Sequence, residues 1–238
     1  MMKRQRLGQH YLIDPDVVRA IVEFAQIQPS EAVLEIGTGH GALTRELVNL
    51  GKSLVGYEVD RDNFEVTLDV VRGTDARICL ADAFEQKPEF DVLVSSLPYS
   101  ESANFVQWLS GTKFDRAVVV LQEDFVRKLA APTGDRDYRG ISALAQIAFE
   151  VSRLRSVGRR SFSPQPRVDS AVVRFTQKRL VSGAEASSVM RLFSLRRRQV
   201  GSALASLGMR AEVDFGQRRV FSLLPEEVHE LCSPKRTP

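Results

Sequence analysis

The chain has 238 residues, of which 43% are hydrophobic and 26% are charged, and its formal net charge is +3. These values are ordinary for a soluble globular protein, and the length suits one full α/β domain with a small appendage. No apolar run is long enough to span a membrane or to form the core of a secretory signal, so a cytoplasmic protein is predicted.

The first half of the chain contains apolar runs of strand length, separated by amphipathic stretches of helical length. The apolar runs are Ala32–Ile36, Ser53–Tyr57, Arg77–Leu80, Asp91–Ser95 and Arg116–Leu121. The amphipathic stretches are Gly41–Leu50, Arg61–Val71, Glu101–Leu109 and Glu123–Ala131. Because strands that alternate with helices form parallel sheets, we expect an α/β domain with helices on both faces of the sheet.

Four further elements are predicted after Ala131. They are a helix at Ile141–Phe149, a strand at Ala171–Thr176, a helical stretch at Ser187–Leu207 and a short helix at Pro225–Leu231. The composition changes near Lys178–Gly183, beyond which no strand run occurs. Two domains are therefore predicted, residues 1–182 and a small all-helical subdomain of residues 183–238.

Charge is distributed unevenly along the chain. Residues 13–150 hold 23 acidic and 13 basic residues, whereas residues 1–12 hold three basic residues and no acid, and residues 151–181 hold eight basic residues and one acid. Basic ends can contact a polyanion while the acidic middle binds something else. Solubility alone explains the same charges equally well. The two cysteines, Cys79 and Cys232, have no metal-ligand spacing, and no metal site is predicted.

A glycine-rich turn follows the first predicted strand. The segment Val33–Leu43, VLEIGTGHGAL, passes through Gly37 and Gly39 before a helix begins. Glycines at the end of a strand let the backbone turn sharply and approach a ligand closely. A purely structural turn or the dinucleotide site of a dehydrogenase also fits such a pattern, but the spacing is G-x-G-x-G rather than G-x-G-x-x-G.

Acidic residues follow the next two predicted strands. Glu58 lies 21 residues after Gly37, where a carboxylate can accept both ribose hydroxyls of an adenosine. Asp82 ends the following strand, where it can reach an adenine amino group. Acids at the ends of two successive strands can bind the ribose and the adenine of one adenosine, and no pyrophosphate has to be bound between them. This arrangement favours a nucleoside cofactor.

The segment Ser95–Tyr99, SSLPY, follows the fourth predicted strand. It resembles the [N/D/S]-P-P-[Y/F] motif of methyltransferases that act on exocyclic amines. An adenine amine is a weak nucleophile because its lone pair is delocalised, and acceptors for its two hydrogens favour a pyramidal nitrogen. The aromatic residue of such a motif stacks on the base.

Further motifs, in the same order along almost the whole chain, resemble the small-subunit rRNA adenine N6,N6-dimethyltransferase family. Gly8–Asp14 is similar to G-Q-N-F-L-x-D, and Phe162–Val173 matches F-x-P-x-P-x-V-D-S-A-V. The segments Val120–Gln122 with Phe125–Ala130, Tyr138–Ser142 and Phe193–Arg198 resemble L-Q-x-E-V-A-x-R-L, Y-G-x-L-S and F-x-x-R-R-K. The resemblance implies a Rossmann-like class I methyltransferase domain, S-adenosylmethionine as cofactor and a helical C-terminal subdomain.

The resemblance also implies a role for each matching residue. The cofactor would be bound by Gln9, His10, Leu12, Gly37, Gly39, Glu58, Asp82 and Ser96. Ser96 and the Leu97 carbonyl would receive the target amine, and Tyr99 and Phe162 would stack on the flipped adenine. Arg196, Arg197 and Arg198 would contact rRNA phosphates. Taken alone, the two aromatic residues fit a core, and the three arginines fit a solvated helix face.

Two residues depart from the family pattern, since His10 and Ser96 each stand where the family has Asn. A serine oxygen sits closer to the backbone than the amide oxygen of Asn. With Ser96 as the acceptor, methyl transfer could be slower, stop at one methyl or be lost. The leading hypothesis is a monomer that dimethylates two adjacent adenines near the 3′ end of small-subunit rRNA, in immature subunits. The alternatives are a small-subunit assembly factor and a large-subunit rRNA methyltransferase.

Overall fold

The computed structural model describes residues 9–211 and 213–233. Gly8 and the basic residues before it therefore lie outside the described residues. The described chain forms two compact units, which we call the sheet unit and the helical unit. The sheet unit holds the described part of residues 1–105 together with 113–126 and 152–177, and the helical unit holds residues 106–112, 127–151 and the described part of 178–238.

A seven-stranded sheet is the largest feature of the structure. Its strands are β2 (Ala32–Ile36), β3 (Ser53–Glu58), β4 (Arg77–Leu80), β5 (Val92–Ser95), β6 (Arg116–Gln122), β7 (Phe149–Val157) and β9 (Ser170–Gln177), in the order β4-β3-β2-β5-β6-β9-β7. Strands β2 to β6 pair in parallel, and β9 is antiparallel to β6. The parallel sheet predicted from the alternating pattern is confirmed.

The strand order reverses beside β2, because the chain continues to β3 and β4 on one side and to β5 and β6 on the other. In open α/β sheets, ligands bind outside the carboxyl ends of the strands at such a switch point. The register brings the strand ends level, since Ile36 pairs with Tyr57 on β3 and with Ser95 on β5. Gly37 and Ser96 therefore leave the sheet side by side.

Helices α1 (Pro15–Ala25), α2 (Ala42–Leu47) and α3 (Arg61–Val70) belong to the sheet unit. The sequence-based prediction omitted α1, although its start has a clear signal. The Asp14 carboxylate accepts hydrogen bonds from the backbone N–H groups of Asp16 and Val17, and Pro15 occupies the first turn. α1 packs against β5, β6 and β9 and buries apolar residues there. The next two helices along the chain are α4 (Ser102–Ser110) and α5 (Glu123–Leu129).

The helical unit contains α6 (Gly140–Ala148), α7 (Gly183–Ser194), α8 (Val200–Leu207) and α9 (Pro225–Cys232). The single helical stretch predicted at Ser187–Leu207 is wrong, because the chain leaves the helix after Ser194 and resumes it at Val200. Between them, the carbonyls of Arg196 and Arg198 accept hydrogen bonds from the backbone N–H groups of Phe221 and Val220, each 3.1 Å long. Long-range pairing thus replaces the helical hydrogen bonds of this segment.

The helical unit also includes chain that precedes the predicted boundary at residue 182. Helix α6 packs against α7 and α9, and eight of its nine residues are buried. A helix that is apolar all round needs neighbours on several sides, which explains why it groups with helices that come later in the sequence. The domain boundary itself stays a prediction. Among the described residues, no helix is both long and apolar enough to cross a membrane.

Candidate cofactor and active site

A cavity of about 610 Å³ lies in the sheet unit, at the carboxyl ends of β2 to β5. This volume is in the range of small-molecule sites. Of the residues predicted from the sequence, the cavity brings together Gln9, His10, Leu12, Gly37, Gly39, Glu58, Asp82, Ser96 and Leu97. The predicted cofactor residues and the predicted acceptors for the target amine thus line one continuous space.

The glycine turn after β2 forms the floor of this cavity. Gly37 and Gly39 have φ angles of 73° and 53°, which side-chain-bearing residues rarely adopt. A Cβ atom on Gly37 would meet no atom within 4 Å, so the space above it is open to a ligand. A Cβ atom on Gly39 would come within 3.2 Å of Cδ1 of Tyr11, because the N-terminal strand packs directly against the turn.

The Glu58 carboxylate connects the glycine turn with the end of β3. It is 4% exposed and accepts three backbone hydrogen bonds, from Gly39 at 2.8 Å and from Val59 and Asp60 at 2.9 Å each. A carboxylate offers about four acceptor positions, so roughly one remains for a ligand. To accept hydrogen bonds from two ribose hydroxyls, as predicted, the carboxylate must therefore weaken or lose one of its three backbone hydrogen bonds.

Carboxyl groups dominate the electrostatics of the cavity. Glu35, Glu58, Asp82 and Glu101 line it, and the described lining residues include neither Lys nor Arg. Such a site suits a ligand that carries positive charge and opposes a pyrophosphate, which needs cationic or N–H donors. S-adenosylmethionine has a sulfonium and an ammonium group, so the residues present fit this cofactor.

Glu35 is a functional candidate that the sequence analysis missed. It is 1% exposed and accepts a 2.7 Å hydrogen bond from the Thr44 hydroxyl. The pKa of Glu35 is raised to about 8, mainly by burial and also by the neighbouring Glu58 carboxylate, although the hydrogen bond from Thr44 opposes the shift. An acid within the apolar strand VLEI was the available signal, since a buried carboxyl group needs a reason to be there.

The N-terminal segment covers the cavity through a short antiparallel pair, β1 (Tyr11–Leu12) with β8 (Phe162–Ser163). The Tyr11 hydroxyl donates to Oε1 of Gln9 at 2.9 Å, and its ring stacks on His40 with centroids 3.9 Å apart. Nδ1 of His10 lies 2.7 Å from the Pro164 carbonyl oxygen. The segment is thus attached both to the glycine turn and to the chain around β8.

The two predicted stacking residues do not line the cavity. The Tyr99 hydroxyl lies 2.6 Å from Oγ of Ser170, and burial raises the pKa of Tyr99. Its ring centroid lies 5.4 Å from that of His10, which does line the cavity. Phe162 is 3% exposed and belongs to the hydrophobic core with Leu12. The structure thus places the Phe162 ring in the core, and its stacking on a base stays a prediction.

Other residues of the cavity were not assigned from the sequence. Tyr11 and Val59 adjoin predicted site residues, so their positions in the motifs were a usable signal. Asn63 and Glu101 had no such signal, because they reach the cavity only through the first turn of α3 and the turn before α4. Asn63 is 2% exposed, and its Nδ2 atom has no hydrogen-bond partner among the described residues.

The three predicted RNA-contacting arginines lie in the helical unit, beside a second cavity of about 620 Å³. Arg139, at the start of α6, lines the same cavity. Burial lowers the pKa of Arg196, and the neighbouring Arg139 and Arg197 lower it further. Four like charges around one depression make a surface suited to phosphate oxygens.

Comparison with known proteins finds relatives over nearly the whole chain. The family model for ribosomal RNA adenine dimethylase matches residues 1–231. A probable ribosomal RNA small subunit methyltransferase A of Pyrococcus abyssi is 35% identical over 240 residues, which cover 95% of this chain and 89% of that protein. A probable dimethyladenosine transferase of Caenorhabditis elegans is 33% identical over 241 residues, covering 97% of this chain and 75% of that protein.

Solved structures show the same fold. A dimethyladenosine transferase from Plasmodium falciparum matches with a TM-score of 0.77 at 24% identity, covering 93% of this chain and 96% of that one. The 23S rRNA methyltransferase ErmE matches with a TM-score of 0.64 at 26% identity, covering 93% of this chain and 99% of that one. The predicted Rossmann-like class I methyltransferase fold is confirmed.

Proposed function

The chain belongs to the ribosomal RNA adenine dimethylase family, and we propose that it transfers methyl groups from S-adenosylmethionine to N6 of two adjacent adenines near the 3′ end of small-subunit rRNA. One observation carries the proposal. A single acidic cavity joins the glycine turn after β2 to the SLPY turn after β5. Cofactor and target amine can therefore meet in one cavity, where positioning supplies most of the rate enhancement.

The described residues suit each part of the cofactor. Gly37 and Gly39 leave room for the methionine part, and Glu58 accepts from the ribose. Asp82, whose Oδ1 accepts a 2.9 Å hydrogen bond from the Phe84 N–H, retains a second oxygen for the adenine amine. Gln9 lies above the site on the N-terminal segment. The bound cofactor supplies an electrophilic methyl group on its sulfonium.

Ser96 and Leu97 orient the target amine in this proposal. Both line the cavity, directly after β5 and level with the glycine turn. The Ser96 hydroxyl accepts one amine hydrogen and the Leu97 carbonyl the other, so that the nitrogen lone pair faces the methyl group. Tyr99, which contacts His10 at the edge of the cavity, supports the incoming base.

The arginines beside the second cavity bind the rRNA backbone. The carbonyls of Arg196 and Arg198 accept backbone hydrogen bonds from Phe221 and Val220, and the Arg197 carbonyl accepts one from the Arg219 side chain. The three arginines form no ion pair among the described residues. They contact phosphates of an immature small subunit, in the cytoplasm and with the protein as a monomer. Phosphate contacts of this kind release counterions and make binding depend on salt.

Ser96 keeps a second candidate function open, that of a small-subunit assembly factor with weak or no methylation. Purified protein is incubated with labelled S-adenosylmethionine and, in parallel reactions, with immature small and large subunits from cells that lack it, and the modified nucleotides are identified by mass spectrometry. N6-methylated adenines in small-subunit rRNA support the proposal. Binding to subunits without any methyl transfer supports the assembly factor, and methylation of large-subunit rRNA alone contradicts both.

A further inference from the structure

The turn after SLPY brings a fourth acid into the cavity beside the predicted amine site. The Glu101 N–H donates a 2.9 Å hydrogen bond to the Pro98 carbonyl, which folds the chain back toward Ser96. Glu101, Ser96 and Pro98 all line the cavity. Glu101 therefore enters the cavity from the turn that directly follows the predicted acceptors, Ser96 and Leu97.

Among the four acids of the cavity, Glu101 differs from Glu58 and Asp82 in having no backbone hydrogen bond to its carboxylate within the described chain, and from Glu35 in being only partly buried. Glu58 accepts three backbone N–H groups, and Asp82 accepts one. Glu35 is almost wholly buried and bonds to the Thr44 hydroxyl. Glu101 accepts only from the Asn104 side chain, through Oε2 at 2.9 Å, among the hydrogen bonds of the described chain. Its Oε1 atom is thus available to a ligand.

Methyl transfer creates a need for such a group. The positive charge moves from sulfur to the amine nitrogen, which must then lose a proton. A serine hydroxyl and a backbone carbonyl can orient the amine, but neither carries a negative charge to stabilise the forming cation. A preorganised carboxylate at that position stabilises charge as it develops in the transition state.

We propose, on the basis of the proposed function, that Glu101 is a catalytic residue whose carboxylate stabilises the positive charge forming on the target amine and then receives one of its protons. In this step the bond between nitrogen and the methyl carbon forms while the bond between that carbon and sulfur breaks. The electron pair of the broken bond remains on sulfur, which becomes a neutral thioether. The amine proton passes to the Glu101 carboxylate and from there to water.

Single-turnover methyl transfer to immature small subunits tests this proposal with Glu101→Gln, Glu101→Ala and the control Glu85→Gln. Glu85 is exposed and does not line the cavity. We expect transfer about 10²-fold slower in both Glu101 variants, the scale of acid–base catalysis, and an unchanged rate in the control. An active wild type with an equally fast Glu101→Gln would overturn the role of Glu101 and leave the proposed function standing. An inert wild type that binds subunits would overturn both.

Calorimetry adds a measurement that does not depend on activity. If Glu101 faces the amine, Glu101→Gln binds S-adenosylmethionine and its thioether product S-adenosylhomocysteine as tightly as the wild type does. If Glu101 instead holds the sulfonium, the variant loses affinity for S-adenosylmethionine only, and the proposal fails. Equal melting temperatures of variant and wild type verify that slow transfer does not arise from unfolding.

Discussion

The backbone N–H of Gly39 donates a 2.8 Å hydrogen bond to Oε2 of Glu58. This bond joins the turn after β2 to the end of β3, across two neighbouring parallel strands. The carboxylate that is predicted to bind the ribose therefore also fixes the glycine turn that is predicted to face the methionine part. Two halves of one cofactor site are held in position by a single side chain.

We predict that Glu58→Ala lowers the affinity for S-adenosylmethionine by more than the loss of a single hydrogen bond would. The variant leaves ribose hydroxyls and the Gly39 N–H without their acceptor, and each unpaired buried group costs on the order of 1–3 kcal/mol. Because at least two such losses add, titration calorimetry should show affinity lower by about 100-fold or more. Glu65→Ala, an exposed position on α3, is the matched control. Unchanged affinity in Glu58→Ala would remove Glu58 from the cofactor site.

The stability of the cofactor-free protein should fall as pH rises because of Glu35. Its pKa is raised by burial from 4.5 to about 8 in the folded state, so the folded protein binds a proton that the unfolded chain has released between these values. A group of this kind stabilises the fold below pH 4.5 and loses that contribution as pH rises through about 8. Urea unfolding of the wild type between pH 5.5 and 8.5 measures the loss.

Glu35→Gln tests the origin of that pH dependence. The neutral amide can still accept the Thr44 hydroxyl but has no proton to lose, so its unfolding free energy should vary less over the same pH range. Glu46→Gln, exposed on α2, should behave as the wild type does. Parallel pH curves for wild type and Glu35→Gln would show that Glu35 does not titrate in this range.

Reversal of Arg196, Arg197 and Arg198 to Glu should weaken binding to immature small subunits and leave cofactor affinity intact. The three arginines line the cavity of the helical unit, where their removal takes away phosphate contacts. The dependence of affinity on salt should become less steep by about one unit of slope per lost contact. Reversal of the exposed Arg19, Arg61 and Arg72 in the sheet unit provides the control. Equal losses in both variants would indicate a general charge effect.

Ser96→Asn should accelerate methyl transfer, and Ser96→Ala should slow it. Asn carries its acceptor one heavy atom further into the cavity, whereas Ala offers no acceptor to the amine. Loss of one well-placed acceptor for a transition state costs roughly 2.7–4 kcal/mol, or about 10²–10³ in rate. Single-turnover transfer and the ratio of monomethyl to dimethyl product measure the effect. A wild type and a Ser96→Ala variant of equal speed would show that the hydroxyl has no such role.

Much of the cofactor site could be predicted because it depends on local sequence. The residues directly after strands in a parallel sheet share one edge, so Gly37, Glu58, Asp82 and Ser96 could be assigned to one site from their positions alone. β7 was missed for the opposite reason. It lies at the end of the strand order, where Arg153 and Arg155 are exposed, and an edge strand with charged residues lacks an apolar pattern.

The sequence by itself determined the strands, the glycine turn and the acids at the strand ends, because backbone geometry imposes a short-range periodicity on each element. Only the tertiary structure decided that Phe162 lies in the core, that α6 packs with α7 and α9, and that Glu101 lines the cavity. These outcomes depend on which distant segments pack together. Burial and hydrogen bonding between residues far apart in the chain are set by the whole fold, and no local pattern encodes them.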